Sequence, residues 1–437
     1  MIKEFLDRNS EKQVRIAVIG DPMVDQYYYV DANRVSPEFP IPIMLSTGLT
    51  PCVSLPGGAG NVCQQFKHFN VNSKLFSLHG VEEPIKRRLY HGEFPLCRWD
   101  IEKPNYGLED KELKQKADHL FLEVEGSGFR PDVYVFSDYN KGIFNSDQDW
   151  MSLAKDSISI VDPKTGPLSK WRGCTIFKPN AKEAFDLSGL KDWRQQCSFF
   201  MAKLGCQSVI ITHGGKGVVG KVINKEFEYR PRHTIVADSV IGAGDCFIAF
   251  LAMTQAHAID VVEAVEIAFE AGAVYVQRMH NKPITPRELL KHADPINAKI
   301  VSPEDLIERD YKLVFTNGCY DVLHAGHLHC LREAKKYGDK LVVAINTDDY
   351  IKKVKGSDRP IFSLKNRMEY LANLEIVDFV TSFSEDTPYD IIKKIMPDAL
   401  VRGKQEGYVV GSDLVPTFIV GELQGLSTTN LIKRIRQ

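Results

Sequence analysis

Apolar and polar positions along the chain alternate between short, nearly continuous apolar runs and longer segments of helical spacing. Val14–Ile19 (VRIAVI) is apolar almost throughout and is stopped by Gly20-Asp21-Pro22. Similar runs recur at Val133–Phe136, Ser159–Val161, Thr175–Phe177 and Ser208–Thr212, with helix-length segments such as Ala181–Leu187 and Trp193–Leu204 between them. Continuous runs suit strands buried on both faces, and their alternation with helices predicts a doubly wound α/β sheet. Phe247–Ala256 and Val261–Arg278 are two longer helical patterns that close this half.

The pattern then breaks. Asn281-Lys282-Pro283, Pro286, His292–Pro295 and Ser302-Pro303 put several breakers close together. A new strand, Lys312–Thr316, opens a second α/β series that includes Leu341–Ile345 and Phe379–Thr381. The expected organisation is a first domain over 1–297, a linker over 298–310 and a second domain over 311–437. The two halves share no spacing pattern, so an internal repeat is not expected.

Composition narrows the class. The 437 residues are 43% hydrophobic and 26% charged, which fits a globular protein and excludes a disordered or collagen-like chain. Fifty-five basic residues against 57 acidic ones leave a net charge of -2, so no bulk attraction to nucleic acid or anionic membrane is expected. Nine irregularly spaced cysteines without a C-x-x-C pair read as reduced thiols. No secretory pattern or membrane-length apolar run is apparent, so the expected location is the cytoplasm.

Chemistry enters at two places. Ile241-Gly242-Ala243-Gly244-Asp245-Cys246 leads straight into an apolar helix. Glycines let a ligand approach the backbone, and a helix N-terminus offers unpaired N–H groups to an anion. Asp245 could accept a proton from a hydroxyl that attacks a phosphoryl group held there. The bland alternative is a glycine turn with an aspartate near the N-cap. A second glycine-rich stretch, Leu55-Pro56-Gly57-Gly58-Ala59-Gly60-Asn61, also precedes a helix. Asn180-Ala181-Lys182-Glu183 and Thr212-His213-Gly214-Gly215-Lys216-Gly217 each follow a strand, and Asp21 and Asp25 lie at the end of the first one.

These motifs, in this order, resemble the ribokinase/PfkB family of sugar kinases. Val35–Pro42 (VSPEFPIP), Phe136–Gly142 (FSDYNKG) and Val161-Asp162-Pro163-Lys164 are similar to its heptose-phosphate branch. The resemblance implies Asp245 as the base and Gly242, Ala243 and Gly244 as an anion hole. It implies Asp25, Gly57, Gly58 and Asn61 as sugar contacts, and Thr212, Gly214 and Gly217 as a nucleotide loop. Asn180 and Glu183 would contact nucleotide phosphates and organise Mg2+, through water. After Gly80 the chain runs almost directly into the lid-like PIKRRLYHGEFPLCRWDIE, so this domain is expected to be one strand–helix unit short for the family. Arg278–Pro283 also lacks the small residues usual near the adenine.

The second place is Asn317-Gly318-Cys319-Tyr320-Asp321-Val322-Leu323-His324-Ala325-Gly326-His327, between a strand and the helix Leu328–Tyr337. Two histidines three apart at a helix entry can face one anion and donate hydrogen bonds to a phosphate. A metal set of Cys319, His324, His327 and Cys330 is an alternative, although the spacing matches no common zinc motif. Gly425–Ile432 (GLSTTNLI) starts the last helix with hydroxyls that could hold phosphates or merely cap it.

Lys312–Gln437 resembles the cytidylyltransferase-like nucleotidyltransferases, which implies a Rossmann-like domain. Thr316, Gly318, Asp321, His324 and His327 match the first signature, with the histidines catalytic. Asn346, Thr347 and Asp348 would lie near base or ribose. Arg359, Arg367, Arg402 and Lys404 would lie near substrate phosphates, and Ser427, Thr428 and Thr429 match the C-terminal signature. The two halves together resemble a bifunctional family that makes a nucleotide-activated heptose. Implied are ATP-dependent phosphorylation of D-glycero-β-D-manno-heptose 7-phosphate at O1 and adenylyl transfer from ATP to heptose 1-phosphate. Implied partners are sugar phosphate, ATP, Mg2+ and a second copy of the chain in a homodimer or higher homo-oligomer, with no nucleic acid and no membrane. CTP as donor, a nucleotidyltransferase with an inactive kinase-like domain, and a sugar-phosphate sensor stay open as alternatives.

Overall fold

The computed structural model describes residues 1–45, 52–144, 147–164, 166–223, 225–231, 237, 239–403 and 407–421. It divides into two compact units, Met1–Leu289 and Leu290–Gln437.

The first unit is built on an eight-stranded sheet. In order across it the strands are Lys225–Tyr229, Val218–Val222, Ser208–Thr212, Ile176–Phe177, Ile158–Asp162, Val133–Ser137, Val14–Gly20 and Val71–Phe76. The six from Ser208–Thr212 onward run parallel, while the two at the other edge are antiparallel. Alternation along the strands explains why each predicted run is apolar throughout. Val14, Ile16 and Val18 enter one buried cluster, and Ala17 and Ile19 enter the other. Helices cover both faces, so neither set of side chains meets water.

Helix Ala243–Ala256 is buried at every position from Asp245 onward, because it lies inside the core rather than on its surface. It begins four residues earlier than its apolar pattern suggests, since Gly242 takes φ 76° and allows the turn at that point. Asp245 therefore sits inside the first turn. Helix Val261–Tyr275 packs against it, capped by the Asp260 carboxylate, which accepts from Val262 N–H at 2.9 Å.

A second sheet carries the strands Val53–Gly58, Pro22–Tyr29, Ile85–His91 and Phe94–Ile101 in that order. The chain passes from the edge strand Val71–Phe76 of the large sheet directly to Ile85–His91 of this small one, with no strand or helix between them. That is where the sequence looked short.

The second unit has a five-stranded parallel sheet in the order Phe379–Phe383, Lys340–Asn346, Leu313–Gly318, Ala399–Gly403, Thr417–Val420. The order reverses direction at Leu313–Gly318, which is the switch point where open α/β sheets bind ligands. Residues 298–310 are built into this unit. Ile300 bridges to Val380, and Leu306 is fully buried in the cluster that holds Leu313 and Phe315.

Candidate active sites

In the first unit, the C-terminal ends of the parallel strands and the small sheet enclose a cavity of about 390 Å³. The GAGD turn supplies Gly242, Gly244 and Asp245, and the lid strands supply Asp25, Lys86, Arg88 and Arg98. The strand-end loops add Asp138, Tyr139, Asp162, Lys164, Lys178, Asn180, Glu183 and Thr212.

Asp245 is held from two sides. Asn61 Nδ2 donates to its Oδ2 at 2.8 Å, and the Tyr139 hydroxyl donates to its Oδ1. Burial pushes the carboxyl up to about 6, opposed by those two hydrogen bonds. Such a group is ionised at neutral pH yet basic enough to take a proton. A Cβ at Gly242 would stand 2.5 Å from both Asn61 Nδ2 and the Tyr275 hydroxyl, so the site requires glycine there on steric as well as backbone grounds.

The other charges of the cavity are mostly matched. Arg88 pairs with Asp25 at 2.7 Å, Lys178 with Asp162 at 2.8 Å and Lys164 with Glu183 at 2.7 Å. Lys170 pairs with Asp138 at 2.7 Å, and Arg98 pairs with Asp100 just outside. Asn180 caps helix Ala181–Ser188. Its side chain accepts from Glu183 N–H at 2.9 Å, while Glu183 Oε2 accepts from Asn180 N–H at 2.9 Å. The carboxylate and amide oxygens of Asp162, Asn180 and Glu183 are hard donors of the kind Mg2+ takes.

Beside this cavity, and sharing Thr212, Gly214 and Gly244 with it, lies a pocket of about 260 Å³. Val218, Val240, Ala243, Phe247, Phe269 and Val276 make its walls apolar, and Gly272 and Ala273 leave room for a flat ring. The small residues sought in 278–283 thus occur one helical turn or more upstream, inside helix Val261–Tyr275.

In the second unit His324 is the N-cap residue of helix Ala325–Lys335, and His327 lies in its first turn. Their rings stack with centroids 3.8 Å apart, and His327 also meets Tyr320 at 4.9 Å. Burial lowers both imidazoles. His327 falls to about 4, helped by the neighbouring His324 and by Lys355. The Nδ1 atoms of both are buried without a hydrogen-bond partner. Two neutral rings with unspent polar atoms at a helix N-terminus suit an anionic ligand. Among the described residues no group of three or more His, Cys, Asp or Glu is arranged to hold a metal ion, and Cys319 instead donates to Asn346 Oδ1 at 3.7 Å.

Two family models match the chain: pfkB family carbohydrate kinase over 151–286 and cytidylyltransferase-like over 315–434. The protein named Bifunctional protein HldE in Caulobacter vibrioides is 32% identical over 473 aligned positions, covering 96% of each chain. Its namesakes in Campylobacter jejuni and Coxiella burnetii are 31% and 30% identical and cover 99% and 98% of this chain. The chain belongs to the HldE family of bifunctional proteins. As an HldE-family protein it joins an ATP-using sugar kinase of ribokinase-like fold to a nucleotidyltransferase. Phosphofructokinase-2 of Escherichia coli, 17% identical with a TM-score of 0.50, covers 64% of this chain and is covered over 98% of its own length, a likeness of fold. The Caulobacter alignment exceeds the 437 residues present, so that relative carries stretches this HldE-family chain lacks.

Within this family frame, several predicted contacts take other positions. Asn61 is fully buried behind the base. Its amide nitrogen serves Asp245 and the Tyr275 hydroxyl, and its oxygen accepts from Gln65, so it braces Asp245 and has little left for a sugar. Gly57 packs against Asp25, where a Cβ would stand 2.5 Å from Oδ2. Asp21 is buried under the loop, accepting from the Tyr106 hydroxyl at 2.6 Å and Tyr139 N–H at 3.0 Å. Asp321 is likewise spent on the Arg359 side chain and on the Ile361 and Phe362 N–H groups. Arg367, expected near phosphates, is fully buried and donates to Phe362 O, Cys319 O, Asn346 O and Asp348 Oδ1. Arg402 donates to the Asn317 carbonyl at 2.9 Å and to the Asn317 side chain, which ties the fourth strand to the histidine loop. Thr316 and Asn346 are buried at the ends of adjacent strands, and Gly318 packs on the Tyr320 ring. Lys404, Ser427, Thr428 and Thr429 lie outside the described residues.

Sequence reasoning missed Tyr139 as a partner of the base, although its loop was part of the resemblance. It also missed Asn281, fully buried, which donates to Asp25 at 3.3 Å and to Pro56 O at 2.6 Å. Nothing near Asn281 in sequence signals a contact 256 residues away.

Proposed function

We propose that the first unit phosphorylates D-glycero-β-D-manno-heptose 7-phosphate at O1 with ATP, and that the second transfers AMP from ATP to heptose 1-phosphate. The products of the second step are ADP-heptose and pyrophosphate, and a phosphatase acting between the two steps must remove the 7-phosphate. The observation that carries the reading is Asp245, a buried carboxylate of raised basicity at a helix N-terminus, in a chain with an HldE-type arrangement over its full length.

In the first reaction the anomeric O–H approaches Asp245, which accepts its proton as the oxygen attacks the γ-phosphorus. The bond from that phosphorus to the bridging oxygen breaks and ADP leaves. Gly242, Ala243 and Gly244 stabilise the transferring group through the helix N-terminus. The adenine occupies the apolar pocket and Thr212, Gly214 and Gly217 line the phosphates. Asp162, Asn180 and Glu183 would hold Mg2+, which would supply positive charge beside the nucleotide phosphates. Tyr139 and Asn61 orient the base. Asp25, held by Arg88 and Asn281, faces the sugar together with Gly58.

In the second reaction a sugar-phosphate oxygen attacks the α-phosphorus of ATP and pyrophosphate leaves. His324 and His327 donate hydrogen bonds to the charge that builds on the α-phosphate. We also assign self-association, since Val35, Phe39, Ile41 and Leu45 of the ribbon Asp31–Val35/Pro42–Leu45 leave apolar side chains in solvent.

Mass spectrometry of products from heptose 7-phosphate or heptose 1-phosphate with ATP or CTP tests the reading. Expected are a bisphosphate that is lost with Asp245→Asn, and a nucleotide sugar with pyrophosphate that is lost with His324→Ala. A wild-type chain that makes the second product but never the first would reduce it to a nucleotidyltransferase.

A further inference from the structure

Five cationic side chains line the kinase cavity, and four are neutralised by a carboxylate. Lys178, Lys164, Arg88 and Arg98 each have a partner within 4 Å. Among the described residues Lys86 is the exception, with no ion pair and no hydrogen bond. It is nevertheless half-buried on the lid strand Ile85–His91, in register beside Asp25. Its ammonium lies 5.7 Å from the centroid of the Tyr139 ring, whose hydroxyl holds the base. Arg88, two residues along, keeps its Nε–H buried without an acceptor, although another of its nitrogens serves Asp25. Arg98 faces Arg88 across the hairpin. Among the described residues the carboxylates lining the cavity are paired with other cations, save Asp245, whose oxygens are held by Asn61 and Tyr139. Partly desolvated donors left without acceptors therefore call for an anion supplied from outside.

The position selects which anion. Lys164 and Lys178 sit at the strand-end side of the cavity, with Asp162, Asn180 and Glu183, where the nucleotide loop approaches. Lys86 and Arg88 sit on the lid beside Asp25. A reaction that brings two separate phosphate groups into one cavity needs two cationic ends, and this cavity has them.

We propose that Lys86, with the free Nε–H of Arg88, is the receptor for the phosphate monoester that the sugar substrate already carries, the group that is not transferred. This makes Lys86 the residue that separates phosphorylated from unphosphorylated sugars. The assignment rests on the reading of the first unit as a sugar-phosphate kinase. A phosphate dianion accepts charge-assisted hydrogen bonds from both donors, and its charge compensates the lysine that the protein leaves unpaired.

The test uses the full chain and the variants Lys86→Met and Lys86→Arg, with heptose 7-phosphate and the same heptose without phosphate. Affinity is read by calorimetry and turnover by ADP release. Lys86→Met should weaken binding of the phosphorylated sugar and raise its KM about 10- to 100-fold. The KM for ATP and the weak binding of the unphosphorylated sugar should not change, and Lys86→Arg should recover much of the loss. A KM effect on ATP, or an equal loss with both sugars, would overturn the assignment in favour of the transferred phosphate or of a folding role. Wild-type binding that depends on Lys86 without turnover would keep the receptor and remove the kinase reading. Turnover indifferent to Lys86→Met would do the reverse.

Discussion

Tyr139→Phe offers a direct reading of how the base is tuned. In the free enzyme Asp245 is pulled in opposite directions, with burial raising its pKa and the Tyr139 and Asn61 hydrogen bonds lowering it, to a balance near 6. Removing one hydrogen bond to a buried carboxylate removes about 1.5–3 kcal/mol of preference for the ionised form. At 1.36 kcal/mol per unit, the pKa should rise by roughly 1–2 units, to about 7–8. The ionised fraction at pH 7 would then fall from about nine-tenths to between a half and a tenth.

The assay is the pH dependence of kcat/KM for the sugar, because that ratio reports the free enzyme, in which the Tyr139 contact is made. The substrate phosphate also titrates near pH 6, but that ionisation is common to wild type and variant, so the displacement between the two curves belongs to the enzyme. Expected are an acid limb moved upward by about 1–2 pH units, a loss of about 2- to 10-fold at pH 7 and recovery towards pH 9. A limb that stays in place, or a loss equal at every pH, would refute the claim that Tyr139 sets the basicity of Asp245.

Asp245→Asn should abolish phosphorylation and yet stabilise the fold. A carboxyl whose folded pKa lies above its unfolded value favours folding when protonated, so its cost is absent below the unfolded pKa and complete above about 6. Unfolding at pH 7.5 should show a gain of roughly 2–3 kcal/mol, vanishing by about pH 4, and an unchanged or lower stability at pH 7.5 would count against it. Gly242→Ala must move Asn61 or Tyr275 and adopt a positive φ, so it should cost about 1–3 kcal/mol and most kinase turnover while pyrophosphate release persists. Arg367→Met leaves the Asp348 carboxylate and three carbonyls without their donor, which should destabilise the second unit by about 3–5 kcal/mol. Hydrogen exchange at Lys340–Asn346 reads that loss, and normal exchange with a raised KM for ATP would return Arg367 to substrate contact.

What was legible in the sequence depended on the kind of signal each residue leaves. Val14–Ile19 and Ser208–Thr212 were legible because strands buried on both faces must be apolar at nearly every position. Asp245 was legible because glycines and an acid at a helix entry are a local pattern with a local cause. Asn61 and Arg367 show the opposite case. Each was recognised by its place in a motif, but its role is fixed by what surrounds it in space, and both have their polar atoms spent on protein partners. A motif records that a residue type is needed, not whether it faces the substrate or the residue that does. Lys86 left no signal in sequence, where one lysine in IKRRL looks like any exposed strand charge. Its standing comes from the carboxylates around it, paired with other cations or, in the case of Asp245, held by Asn61 and Tyr139, which only the fold can arrange.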